Sequence, residues 1–381
     1  MTPEDSNNNS LKILHTCAHA AGNLGVQLAH IAEQATAANH ISFIASADSE
    51  AKVEHILRQG GIHLHAEFNK PTHPFKAPIE GFKLAAHVRE NAIDVIHAHD
   101  ARTIASALWA GRFAKVPVVA HLNATKTPKK VLKAIQGATT QSHFMAEQIG
   151  IKWAHILPPC YSPKRLKDID AKKIDALWAQ WDVPAATPVL LVTEPMAAES
   201  NYDILIEALG RMKKLHFKAI ICTNYTASQE LFTNLWKRIE ALGISKEILF
   251  VDPPTTAEEA QHIYAASDVV AFTNANPEAD AADILMPLAI GRPVIVASQT
   301  NRAELVDSGN TGWWVKLGNP ETASQKLQLA LTDALTDMTR LQKMGTSATR
   351  LCKEHHTAAH VCADLFAFYG SIRHAYSQSS N

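Results

Sequence analysis

Apolar residues recur along this chain with two alternating periods. The runs LKILHTCA (11–18), HISFIAS (40–46), IDVIHAH (93–99) and VPVVAHLN (116–123) are apolar through much of their length, as strands buried on both faces are. Between them, apolar positions three and four apart predict helices over Val26–Thr36, Glu50–Gln59 and Ala101–Phe113. After KWAHILPPCYSPKRL (152–166) the alternation restarts. It predicts strands at PVLLVTEP (188–195), FKAIICTN (217–224), EILFVDPP (247–254), SDVVAFTN (267–274) and RPVIVAS (292–298). Helices are expected over Tyr202–Lys213, Ser228–Leu242, Ala257–Ala266 and Ala282–Ile290.

Strands alternating with crossover helices mean a parallel sheet covered on both faces. The doublet Pro158–Pro159 can continue neither element and marks a boundary. The pattern therefore predicts an α/β chain of two Rossmann-like, doubly wound parallel-sheet domains, 11–157 and 158–355, facing across a cleft. Ligands of open parallel sheets bind beyond the carboxyl ends of the strands, which puts the expected site in that cleft. Residues 1–10, MTPEDSNNNS, are polar and acidic. They read as a disordered tail, with no apolar segment of a signal peptide.

Composition narrows the function. The 381 residues are 46% hydrophobic, enough for two cores. Lys+Arg number 36 against 37 Asp+Glu, a balance that exerts no pull toward nucleic acid. No apolar run reaches membrane-spanning length, so a cytoplasmic protein is expected. Cys17, Cys160, Cys222, Cys352 and Cys362 are odd in number and scattered, as reduced thiols of a cytosolic protein are.

Four stretches of the second half carry a family resemblance: PVLLVTEPMAAESNYDILIEALGRMK, IYAASDVVAFTN, ADILMPLAIGRPVIVAS and RAELVDSGNTGWWVKLGNPETAS. They resemble the retaining glycosyltransferases of the GT-B fold that use nucleotide sugars, the large group 1 or family four type. IDVIHAHD and VPVVAHLN match more loosely. The resemblance spans roughly residues 11–375 and implies that 356–381 forms a helix packing back on the first domain. It implies sugar transfer from a nucleotide-diphosphate donor to a glycan or lipid acceptor, with retention and with neither metal nor cofactor.

Residue by residue, the implied donor site departs from the family pattern. The family pairs two glutamates across the donor loop and helix, and these fall on Glu278 and Met286. Glu278 keeps the sugar-orienting carboxylate, whereas a thioether is a poor acceptor for ribose hydroxyls. Ala279 and Ala281 stand where the family has glycines, and a Cβ makes any φ > 0 there cost about 1–2 kcal/mol. Asp280 and Asp283 favour a helix N-terminus but oppose a diphosphate at that end. The family's phosphate-clamping Arg and Lys correspond to Glu194 and Ser200, and Thr193–Tyr202 contains neither basic residue. Losing two charge-assisted hydrogen bonds weakens donor affinity by about 3–6 kcal/mol. Asn201 and Asn274 complete the implied donor side, with Gly22 and Asn23 of the shortened glycine-rich loop AAGNLG. Asn123 aligns with a sugar-contacting His, and His121 shares its strand face two residues earlier. An alternative class is a catalytically degenerate GT-B module that binds a glycan, a lipid or a partner protein. Arg292 or Arg302, if either reaches the donor site, would replace the missing clamp.

Other clusters have plainer readings beside the chemical ones. His97, His99 and Asp100 offer metal-ligand types, but a structural or acceptor-side role is the expectation. His356 and His360 in CKEHHTAAHVC lack further ligands and read as ordinary helix residues. Trp313 and Trp314 read as core. Lys126, Lys129, Lys130 and Lys133, with Val131, Leu132 and Ile135 between them, form either a solvated helix face or a peripheral membrane contact.

Overall fold

A computed structural model describes residues 10–68, 76–124, 126–297 and 299–379. The tail expected at 1–10 lies outside these except for its last residue. The chain divides into two compact units, one comprising residues to Ser162 and again from His356, the other Pro163–His355.

The first unit runs β1 (Lys12–Thr16), α1 (Gly22–Ala37), β2 (Ile41–Ser46), α2 (Glu50–Leu57), β3 (Ile62–His65), α3 (Lys76–Glu90), β4 (Val95–Ala98), α4 (Ile104–Ala114), β5 (Val118–His121), α5 (Lys129–Leu132), β6 (Gly137–Thr140), α6 (His143–Ile149) and β7 (His155–Ile156). Its seven strands lie in the order β3-β2-β1-β4-β5-β6-β7, all parallel. Alternate residues of β1 serve opposite faces, and both faces are covered. Leu14 joins Leu84, Val88 and Ala107 of α3 and α4 on one side. Ile13 joins Ile31 of α1 and Leu365, Phe366 and Tyr369 on the other. Those last three belong to α14 (Ala358–Ser379), which is therefore a core element of the first unit. Its entry is fixed by backbone bonds between Tyr161 and both His356 and Ala358, 2.9 and 2.8 Å.

The second unit runs α7 (Ala171–Gln180), β8 (Val189–Val192), α8 (Tyr202–Arg211), β9 (Lys218–Cys222), α9 (Gln229–Leu242), β10 (Ile248–Val251), α10 (Ala257–Ala265), β11 (Val269–Phe272), α11 (Leu285–Ala289), β12 (Val294–Val296), β13 (Gly312–Trp314), α12 (Pro320–Thr336) and α13 (Met338–His355). Its parallel order is β10-β9-β8-β11-β12-β13. Leu190, Leu205, Ile221, Leu327 and Leu331 anchor one core cluster.

The helix expected over Ala282–Ile290 forms as a 3₁₀ turn, Ala281–Ile284, followed by the short α11. Trp313 packs on the core and donates to Asp333 at 2.9 Å, whereas Trp314 is exposed. His356 is buried ahead of α14 while His360 is exposed on it, so the two do not form a helical pair. Among the cysteines only Cys160 is not fully buried, and all five are unpaired.

Candidate functional site

In each sheet the chain direction of winding reverses between two central strands, β1 and β4 in one, β8 and β11 in the other. The loops leaving those strands diverge and open a crevice where ligands of such sheets bind. The two crevices carry different chemistry.

In the second unit the crevice holds a buried ion network. Glu194 follows β8 and is 1% exposed. Its Oε1 accepts from the Asn274 backbone amide after β11 at 3.0 Å and from Arg302 Nη1 at 2.7 Å. Arg302 also donates to Asp283 Oδ2 at 2.8 Å and to the Asp280 carbonyl at 3.1 Å, with its guanidinium 5.0 Å above the Phe272 ring. Burial pushes the Glu194 carboxyl above its ordinary value, against the opposing pull of Arg302 and the Asn274 amide. Its Oε2 is buried and has no hydrogen-bond partner among the described residues. Arg302 does reach the loops expected to hold the donor, but it arrives with two carboxylates bound. Arg292 instead donates to the Ala265 carbonyl at 2.7 Å.

The remaining residues of this region mostly hold the loops together. Ser200 Oγ donates to the Pro195 carbonyl at 2.8 Å and Asn201 Nδ2 to the Thr273 carbonyl at 2.6 Å. Asn201 takes the left-handed conformation, φ 52°, which asparagine tolerates. Asn274 Oδ1 accepts from the Asn276 amide at 2.8 Å. Asp280 accepts from the Ala282 amide and caps the 3₁₀ turn. Neither Ala279 nor Ala281 adopts positive φ, so the strain expected from replacing glycine does not arise. Ala279 accepts from Asn301 Nδ2 at 3.4 Å, and Ala281 is buried. Met286 is half-buried on α11, and Glu278 is exposed on the loop after β11.

Beside Glu194 lies a cavity of about 490 Å³ at the carboxyl ends of β8, β9 and β10. Pro253, Pro254, Ile263 and Tyr264 supply apolar walls, and Thr223 and Asn224 supply polar groups. Burial raises the Tyr264 hydroxyl to about 12, so it stays protonated. Apart from Glu194, none of these residues stood out in the sequence. Their only signal is position, immediately after strands or on the facing helix.

The first unit fills its crevice with neutral imidazoles. His121 Nε2 accepts from the Asn123 amide nitrogen at 2.8 Å. In that arrangement His121 Nδ1–H donates to Thr139 Oγ1 at 2.8 Å, and the Thr139 hydroxyl donates to His97 Nε2 at 3.1 Å. His97 Nδ1–H then donates to the Tyr369 hydroxyl of α14 at 2.6 Å. His121 and Asn123 thus act as a bonded pair, not as substitutes for one another. Burial lowers His15 to about 3 and His121 to about 4. Burial, aided by the neighbouring rings, also holds His97 and His99 well below the ordinary histidine value. Among the described residues, His15, His97 and His99 form the one group with His, Cys or carboxylate ligand atoms all within 4.8 Å. Both ring nitrogens of His97 are hydrogen-bonded, and His15 Nδ1 lies 2.9 Å from His99 Nε2. That bond occupies one of the two remaining lone pairs, and the single one left falls short of a zinc ligand set. Gly22, φ 61°, and Asn23 are exposed at the start of α1.

Residues 175–350 match the family model for glycosyl transferases group 1, and residues 22–199 match that for the glycosyl transferase 4-like domain. Together the two matches span residues 22–350, so both halves of the chain are similar to glycosyltransferase domains. No curated protein matches it in sequence. A glycosyltransferase from Rickettsia africae superposes with a TM-score of 0.81 at 17% identity, over 96% of this chain and 99% of that one. HepE of Anabaena, solved with UDP and glucose, superposes at 0.75 and 17% identity over 95% and 100%. At such identities the likeness establishes the fold: two parallel-sheet Rossmann-like units as in those GT-B structures. No helix among the described residues is long and apolar enough to cross a membrane.

Proposed function

We propose that this chain transfers a sugar, with retention, from a nucleotide-diphosphate donor to a glycan or lipid acceptor. The cavity beside Glu194 carries the reading. At about 490 Å³ it suits a nucleoside, and it combines apolar walls with a few polar groups as ligand sites do. The nucleoside occupies it, and backbone amides around Ala279–Asp283 meet the phosphates. Glu278 orients the sugar, while His121 and Asn123 serve the acceptor. The scheme calls for no metal or cofactor. HepE, solved with UDP and glucose, lends support through its shared fold. The four lysines from Lys126 to Lys133 extend the proposal to peripheral contact with an anionic membrane surface.

Arg302 favours a second reading. Its guanidinium is bound by Glu194 and Asp283, so a diphosphate must compete with two carboxylates for it. A binding module without transferase activity fits that observation.

Calorimetry with UDP, GDP, ADP and their sugar conjugates separates the two readings. The transferase reading expects binding below millimolar concentration, abolished by Ala227→Trp at the cavity wall. Glu278→Ala should then reduce turnover more than binding. Absence of nucleotide binding at millimolar concentration sinks the transferase and leaves the module.

A further inference from the structure

The balanced total charge hides a strong local bias. Between Asp100 and Glu147 there are seven Lys and Arg residues and no Asp or Glu. In the first unit one of these cations, Arg112, borders an exposed apolar strip. Gly81 lets α3 approach α4 closely, since a Cβ there would lie 2.4 Å from the Trp109 Cβ. On the outer side of the pair, Ile79 is 61% exposed and Phe82 62%, one helical turn apart. The Phe82 ring meets Phe113 edge-on at 5.9 Å, and Phe113 stacks on Trp109 at 5.5 Å. Arg112 lies 5.8 Å over Trp109. Trp109 and Arg112 share a surface pocket with Ala134 and Gln136, the residues just beyond the lysines of α5. Of the acids on α3, Glu80 accepts from Ser106 at 2.7 Å and Glu90 lies at the helix end.

We propose that this continuous face is a docking surface for an anionic lipid bilayer, with Ile79 and Phe82 entering the headgroup boundary and the basic residues pairing with lipid phosphates. The inference deepens the membrane contact proposed above and rests on it, but it holds with or without sugar transfer. The combination selects the occupant. A soluble polyanion would use the cations and leave Ile79 and Phe82 in water, whereas an interfacial surface uses both classes together.

Vesicle flotation of the full chain tests it. The wild type should float with vesicles of phosphatidylglycerol and phosphatidylcholine in equal parts, and not with phosphatidylcholine alone. The double variant Ile79→Ser, Phe82→Ser changes only exposed side chains and should keep the wild-type circular dichroism. Its vesicle affinity should fall about tenfold or more. Changing Lys129, Lys130 and Lys133 to Gln should lower affinity about fivefold per charge. If the double variant floats like the wild type while the Lys variants fail, the membrane contact is purely electrostatic and the apolar proposal falls. If the wild type floats with neither vesicle, both the contact and the proposal fall. A dimer by light scattering that the double variant dissolves, without vesicle binding, assigns the strip to a second copy and likewise overturns the proposal.

Discussion

The two crevices sit at equivalent places in equivalent sheets, yet one is held by charges and the other by neutral rings. In the second unit, Arg302 and Glu194 are 5% and 0% exposed in their side chains and compensate one another. In the first unit, His97, His121, Thr139 and Tyr369 are linked without any formal charge. A buried charge depends on its partner, because an ion left alone in a low dielectric is far more costly than an unpaired polar group. The two units should therefore break differently.

The largest effect is expected from Arg302→Met, which leaves Glu194 buried and unpaired. Denaturant unfolding should show a loss of about 3–5 kcal/mol. Adding Glu194→Gln should recover much of it, since the stranded charge is then gone; no recovery would mean that the network is not what holds these loops.

Acidification sharpens the contrast next. The histidines of the first unit are depressed below the unfolded value of 6.5, His15 to about 3 and His121 to about 4. The unfolded chain then binds more protons in this window, so their stabilisation is present above 6.5 and is lost as pH falls toward those values. Each group that stays neutral contributes a slope of at most about 1.4 kcal/mol per pH unit. Glu194 works the other way. Its raised value means that its contribution is present below the unfolded 4.5 and is lost as pH rises through the folded value. Stability measured from pH 7 to 4 should fall in the wild type and fall less steeply in His121→Gln; identical slopes would exclude His121 as a neutral buried group.

The smallest effect is expected from Thr139→Val, which removes the hydroxyl between His121 and His97. A loss of about 1–3 kcal/mol should appear in unfolding experiments. That is less than for Arg302→Met, and the reverse order would undo the comparison.

Much of the fold was legible because buried parallel strands advertise themselves as short apolar runs. The exceptions follow the same logic. β6, Gly137–Thr140, is fully buried but reads GATT, with no large apolar side chain to signal a strand. β3, IHLH, is an edge strand whose residues are partly exposed. The site was legible only as residues of interest. Glu194, Asp280 and Asp283 look in sequence like acids opposing a phosphate. In the structure Asp280 caps a turn, and the other two bind an arginine 108 and 19 positions away. Sequence spacing carries no information about such distant pairs.

By itself the sequence determined the alternation of strand and helix, because periodicity is a local property of which faces must leave water. It also determined where the loops at the strand ends lie and which side chains they carry. Only the tertiary structure decided what those side chains do. Packing brought Arg302 under two carboxylates and set Tyr369, at the far end of the chain, against His97. Burial then chose the charge states. A charge or hydrogen bond has its strength from what surrounds it, and the surroundings exist only once the chain has folded.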